Sequence, residues 1–86
     1  MATEMKAKKK ITIEVNTLEY VAGHGHEPPT KEVGMWAFKP VAPGSRVHDL
    51  IWVDGRYKAA AMQAASRFRR MLDGSGITAA AIFVQP

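Results

Sequence analysis

Between Tyr57 and Leu72 the apolar residues recur at spacings of three and four. Tyr57, Ala60, Ala61, Ala64, Ala65, Phe68, Met71 and Leu72 form one stripe, with Lys58, Ser66, Arg67, Arg69, Arg70 and Asp73 on its flanks. That period predicts an amphipathic helix. The middle of the stripe is alanine, which lets a helix lie very close to whatever it covers. Alternating segments stand before and after it, so the surface it covers is a sheet. Asp54 is a candidate N-cap, Arg69 and Arg70 suit the negative end of the helix dipole, and Gly74 or Gly76 ends the helix.

Strands are predicted on both sides. Ile11, Ile13 and Val15 alternate with Thr12, Glu14 and Asn16, as in a half-buried strand. After Asn16 the apolar phase shifts to Leu18, Tyr20 and Ala22. Asn16-Thr17-Leu18-Glu19 has the spacing of a helix-capping box, but Thr17, Tyr20 and Val21 favour a bulged strand. Gly23 to Glu32 holds two glycines and two prolines and reads as a loop. Val33 to Lys39 and Arg46 to Val53 are expected to pair as a hairpin around Pro43-Gly44. Ile77 to Val84 is a last strand, apolar on both faces, and therefore central in its sheet or covered by a partner. The expected fold is α+β: an antiparallel sheet of three to four strands with one helix, in the order β-β-β-α-β. Residues 1–9, polar and rich in lysine, read as a disordered arm, and 10–86 as one domain.

One helix covers one face of such a sheet. The second apolar side of the last strand then favours a homodimer. The alternation also leaves a choice open. Either the tryptophan side of both hairpin strands faces the helix, or Met35, Ala37, Val47, Ile51 and Val53 do, and Trp36 and Trp52 are exposed.

The 86 residues carry a net charge of +4, unevenly spread. Lys6, Lys8, Lys9 and Lys10 against Glu4 make residues 1–10 net +3. Lys31, Lys39 and Arg46 against Glu14, Glu19, Glu27, Glu32, Asp49 and Asp54 make residues 11–55 net −3. Arg56, Lys58, Arg67, Arg69 and Arg70 against Asp73 make residues 56–73 net +4. A basic tail and a basic helix point to an anionic partner, with Lys8, Lys9, Lys10, Lys39, Arg46, Arg67, Arg69 and Arg70 as candidate contacts to nucleic acid or another partner. Trp36 and Trp52 are candidate aromatic contacts. There is no cysteine, which excludes disulfides and thiolate metal sites and fits a cytoplasmic protein. No apolar run approaches the roughly 20 residues that span a bilayer, so no membrane partner is expected.

Catalytic chemistry is not expected. His48 and Asp49 are neighbours on a strand and point to opposite faces, and Ser45, Ser66 and Ser75 fall on turns or on the polar helix flank. Gly74-Ser75-Gly76 follows a helix, so it offers no helix N-terminus to a phosphate. His24, His26 and Glu27, even with His48, sit on a glycine-flanked loop without the fixed positions a metal demands. No cofactor is expected.

Trp36-x-Phe38, a polar turn, then Trp52-x-x-Gly55-x-Tyr57 and an alanine-rich helix with Ala60, Ala64 and Ala65 resembles a known arrangement. It is similar, over residues 34–68, to the three-strand-plus-helix DNA-binding domains of plant ethylene-response factors and of tyrosine-recombinase arm-binding domains. The resemblance implies a sheet set in the major groove, contacting bases and phosphates through strand arginines and tryptophans. This chain departs from it in having only Lys39 and Arg46 as strand cations, with Asp49 among them. More loosely, the chain looks like small accessory proteins of phages and plasmids, anti-CRISPR proteins among them. Two expectations follow: a non-catalytic basic protein acting on nucleic acid or a nucleoprotein, or an accessory protein or inhibitor that occludes a partner protein. A DNA mimic is disfavoured, because a mimic must be acidic and this chain is basic.

Overall fold

The computed structural model describes residues 11–44 and 49–86. Six elements follow one another: β1 (Thr12–Asn16), α1 (Leu18–His24), β2 (Val33–Val41), β3 (Ile51–Arg56), α2 (Tyr57–Met71) and β4 (Ala79–Val84). The strands form one sheet in the order β1-β4-β2-β3. The class is α+β, as the sequence predicts, but the sheet is mixed. β2 pairs antiparallel with both β3 and β4, while β1 pairs parallel with β4. β3 and β4 therefore run the same way with β2 between them, and α2 makes the crossover, a split β-α-β unit. β4 is an inner strand of the sheet, one of the two environments its apolar faces predict.

α2 covers one face. Ala60, Ala64 and Phe68 are buried with Phe38, Ile82 and Val84, and Ile13 packs against this core from β1. Met71, placed on the stripe by its spacing, is instead exposed. Ala64 has no accessible surface, so a larger side chain there must push helix from sheet. Ala64→Leu is expected to cost about 1–3 kcal/mol by overpacking, measured as a lowered midpoint in urea.

Two local expectations are overturned. Residues 18–24 are a helix, not a bulged strand. Asn16 Oδ1 accepts the Leu18 N–H at 2.9 Å, and Gly25, at φ 80°, closes the other end by donating its N–H to the Val21 carbonyl. Within α1, Tyr20 stacks on His24 at 4.1 Å between ring centroids, an i,i+4 contact that only a helix provides. Strand propensity loses here because the decisive contact is tertiary: the buried Tyr20 ring lies 6.0 Å from that of Trp36.

The second correction is Asp54, which is not the N-cap of α2. It belongs to β3, opposite Met35, and the residue before the helix is Arg56. The first helical N–H groups find backbone acceptors instead: Tyr57 donates to the Glu32 carbonyl at 3.0 Å and Lys58 to that of Thr30 at 3.3 Å. Gly55, at φ 128°, makes the sharp exit from the strand, in a region closed to residues with a Cβ.

The register of β2 on β3 settles the tryptophans, and against both arrangements expected from the sequence. Trp36 stands opposite Val53 and Phe38 opposite Ile51, whereas Trp52 stands opposite Ala37. Directly opposed residues share a face. Trp36 therefore lies under α2 with Ile51 and Val53, and Trp52 lies on the other side with Met35, Ala37 and Lys39. The two tryptophans are on opposite faces. Each strand alternates as its sequence says, but alternation leaves their relative register open, and a slip of one residue exchanges the faces.

Candidate functional site

The face of the sheet turned away from α2 carries Thr12, Glu14 and Asn16 on β1, Ala81 and Phe83 on β4, Val33, Met35, Ala37, Lys39 and Val41 on β2, and Trp52, Asp54 and Arg56 on β3. No helix covers it. Met35 is 61% exposed and Trp52 55%, large values for apolar side chains on regular strands. Leu50 and Val41 are also exposed. Along β2 this face dips into an open groove of about 380 Å³. Met35, Trp36, Ala37, Leu50 and Trp52 form its apolar part, and Tyr20, His24, Glu32, Gly34, Gln85 and Pro86 stand around them.

One end of the groove is held by a polar set on α1. Lys39 donates to Glu19 Oε2 at 2.7 Å, and Gln85 Nε2 donates to Glu19 Oε1 at 2.8 Å. Lys39 also sits 5.6 Å from the centre of the Phe83 ring. The bond from Lys39 and then that from Gln85 hold the Glu19 carboxyl below the ordinary carboxylate range. A carboxylate whose pKa is depressed by folding stabilises the fold above its unfolded pKa. That contribution is lost as pH falls through the folded value. The melting temperature is therefore expected to fall on acidification below the ordinary carboxylate range, and Glu19→Gln to flatten that fall, by thermal scans at stepped pH.

Glu32, in the groove, is exposed and has no ion-pair partner among the described residues. Burial raises the pKa of the Tyr20 phenol, and the Glu32 carboxylate raises it further. The Tyr57 phenol is likewise raised by burial, then by the charge of Glu27.

Of the predicted basic contacts, the four that are described, Lys39, Arg67, Arg69 and Arg70, do not share one surface. Lys8, Lys9, Lys10 and Arg46 lie outside the described residues, as does the expected arm. Arg67 donates from Nη1 to the Trp52 carbonyl at 3.1 Å, on edge strand β3. Arg69 donates from Nε to the Ile11 carbonyl at 3.0 Å, at the start of the opposite edge strand. Thr12 turns its N–H inward to Thr78, so the trans peptide before it turns the Ile11 carbonyl outward. Two arginines of one helix thus tie down both edges of the sheet. Arg70 is exposed and lines a shallow depression on the outer side of α2 with Met62, Gln63, Ser66 and Arg67. Of the two tryptophans, Trp36 is buried and donates from Nε1 to the Gly55 carbonyl at 3.0 Å, and only Trp52 is free to meet a partner.

His24 and His26 pack around Tyr20, with ring centroids 4.1 and 6.0 Å from it, and His26 Nδ1 lies 2.8 Å from the Glu27 carbonyl. Among the described residues no three histidines or carboxylates converge as metal ligands, and no helix is long and apolar enough to cross a membrane. Sequence reasoning missed Glu32 and the groove, because the groove exists only once the strand register is set.

No family model, curated protein or solved structure matches this chain.

Proposed function

We propose that the protein is a non-catalytic protein-binding module that docks through the open face of its sheet and acts by occluding the partner it covers. The observation that supports this reading is the exposure of Met35, Leu50 and Trp52 around Ala37 on a rigid sheet. Exposed apolar patches on regular elements mark interaction sites, and tryptophan dominates binding hot spots. Phosphate contact asks for the reverse, a cationic surface, and among the described residues that line this groove there is no lysine or arginine, while Glu32 is present.

A second reading, binding of nucleic acid along α2, is favoured by Arg67 and Arg70 sharing one depression with no carboxylate in its lining. One experiment separates them. Tagged protein and its Trp52→Lys variant are incubated with nuclease-treated lysate, and the untagged forms are titrated onto labelled DNA at several salt concentrations. A stoichiometric protein partner lost on Trp52→Lys supports docking through the sheet face. DNA binding whose logarithm falls with the logarithm of salt at roughly 0.9 per phosphate, insensitive to Trp52→Lys, replaces it with the second reading.

A further inference from the structure

We propose that the groove along β2 receives an extended segment of a partner protein that presents a lysine or arginine among apolar side chains. This rests on the sheet face being a docking surface and goes further by giving the chemistry of what docks there.

Charge selects the occupant. Of the described side chains that line the groove, Glu32 is the acidic one and no lysine or arginine is among them. Of the cations described on this face, Lys39 is held by Glu19, and Arg56, opposite Val33, follows Asp54 along β3. Asp54 stands opposite Met35 on the same face with Arg56 beside it, so the carboxylate that acts within the groove is Glu32. A cation entering here meets Glu32 at one side and the exposed indole of Trp52 at another, and aromatic faces attract cations. Met35 and Leu50 offer apolar surface for the methylene stem of a lysine or arginine, which covers hydrophobic area while its head stays polar.

Shape selects an extended segment. On this face the apolar lining is Met35 and Ala37, two residues apart on β2, beside Trp52 of β3 and Leu50, which precedes that strand, while Trp36 lines the groove from the other side of β2. Same-face residues of a strand are about 6.6–6.8 Å apart, and an extended peptide repeats at the same spacing. The segment lies over the face and does not add to the edge, because Arg67 occupies the Trp52 carbonyl that a further strand beside β3 would need.

Fluorescence anisotropy of three labelled hexapeptides, alternating valine with arginine, glutamine or glutamate, tests this on the intact protein. A labelled DNA duplex is run beside them. The arginine peptide is expected to bind and the glutamate peptide to fail. Trp52→Ala should weaken binding roughly thirtyfold or more, as loss of a hot-spot tryptophan does. Glu32→Gln should weaken it about two- to fivefold, the scale of an exposed ion pair. Melting curves of both variants check that they fold. Equal binding of the glutamine peptide with the same dependence on Trp52 would overturn the basic occupant and leave the docking face standing. Arginine-peptide binding indifferent to both variants, no binding up to roughly 1 mM, or tighter binding of the duplex than of the arginine peptide would overturn the proposal. So would a dimer in sedimentation that Trp52→Ala dissociates, since a second copy would then fill the groove.

Discussion

Ile82→Lys is expected to abolish the cooperative thermal transition. Ile82 has no accessible surface, stands between Val15 of β1 and Pro40 of β2, and belongs to the core beneath α2. An ammonium placed there loses its water and meets no carboxylate, since no charged residue is buried among those described. The penalty is several kcal/mol even after relaxation. The whole stability of a domain is about 5–15 kcal/mol, so the variant has little or none left. Ile82→Val, which keeps the chemistry and removes one methylene, should cost only about 0.5–1.5 kcal/mol. Circular dichroism on heating reads both. If Ile82→Lys melts like the parent, the side of β4 that faces the helix has been misassigned.

The second large effect is a contrast between the tryptophans. Trp36→Ala is expected to cost about 3–5 kcal/mol. It empties a site between Tyr20 and Tyr57, whose rings lie 6.0 and 5.0 Å away, and removes the indole donor from the Gly55 carbonyl. Trp52→Ala removes a side chain that is more than half exposed, and should stay within about 1 kcal/mol of the parent. Urea unfolding monitored by far-ultraviolet dichroism compares the two without relying on tryptophan emission. Equal costs would mean that both indoles share a face, and would dismiss the register of β2 on β3 together with the docking surface built on it. The contrast also separates stability from binding, since the variant that barely changes stability is the one expected to lose the partner.

The elements whose signals are local were legible in the chain. The alanine stripe marks α2, because helix period and small size lie within one continuous stretch. The alternation of Ile11, Ile13 and Val15 marks β1, and the apolar run to Val84 marks an inner strand. Trp52 was also legible as a contact, but only as one of two equivalent tryptophans. The groove was not, because its walls come from four separate parts of the chain. Glu32 carries no signal of its own: it is one of several loop acids until β3, α1 and the C-terminal residues are set around it.

Sequence alone determined that this chain makes a sheet with one alanine-faced helix upon it, that no cysteine chemistry serves it, and that its positive charge is concentrated in a tail and a helix. Tertiary structure decided the rest. It set β1 parallel to β4, folded residues 18–24 into a helix through the packing of Tyr20, capped α2 with the carbonyls of Thr30 and Glu32, and spent Arg67 and Arg69 on the sheet edges. It also placed Trp36 inside and Trp52 outside. The reason is common to all of these. A strand's own alternation says which residues share a side, but the side that becomes the core depends on register against neighbours distant in the chain, and that is fixed only when the whole sheet closes on its helix.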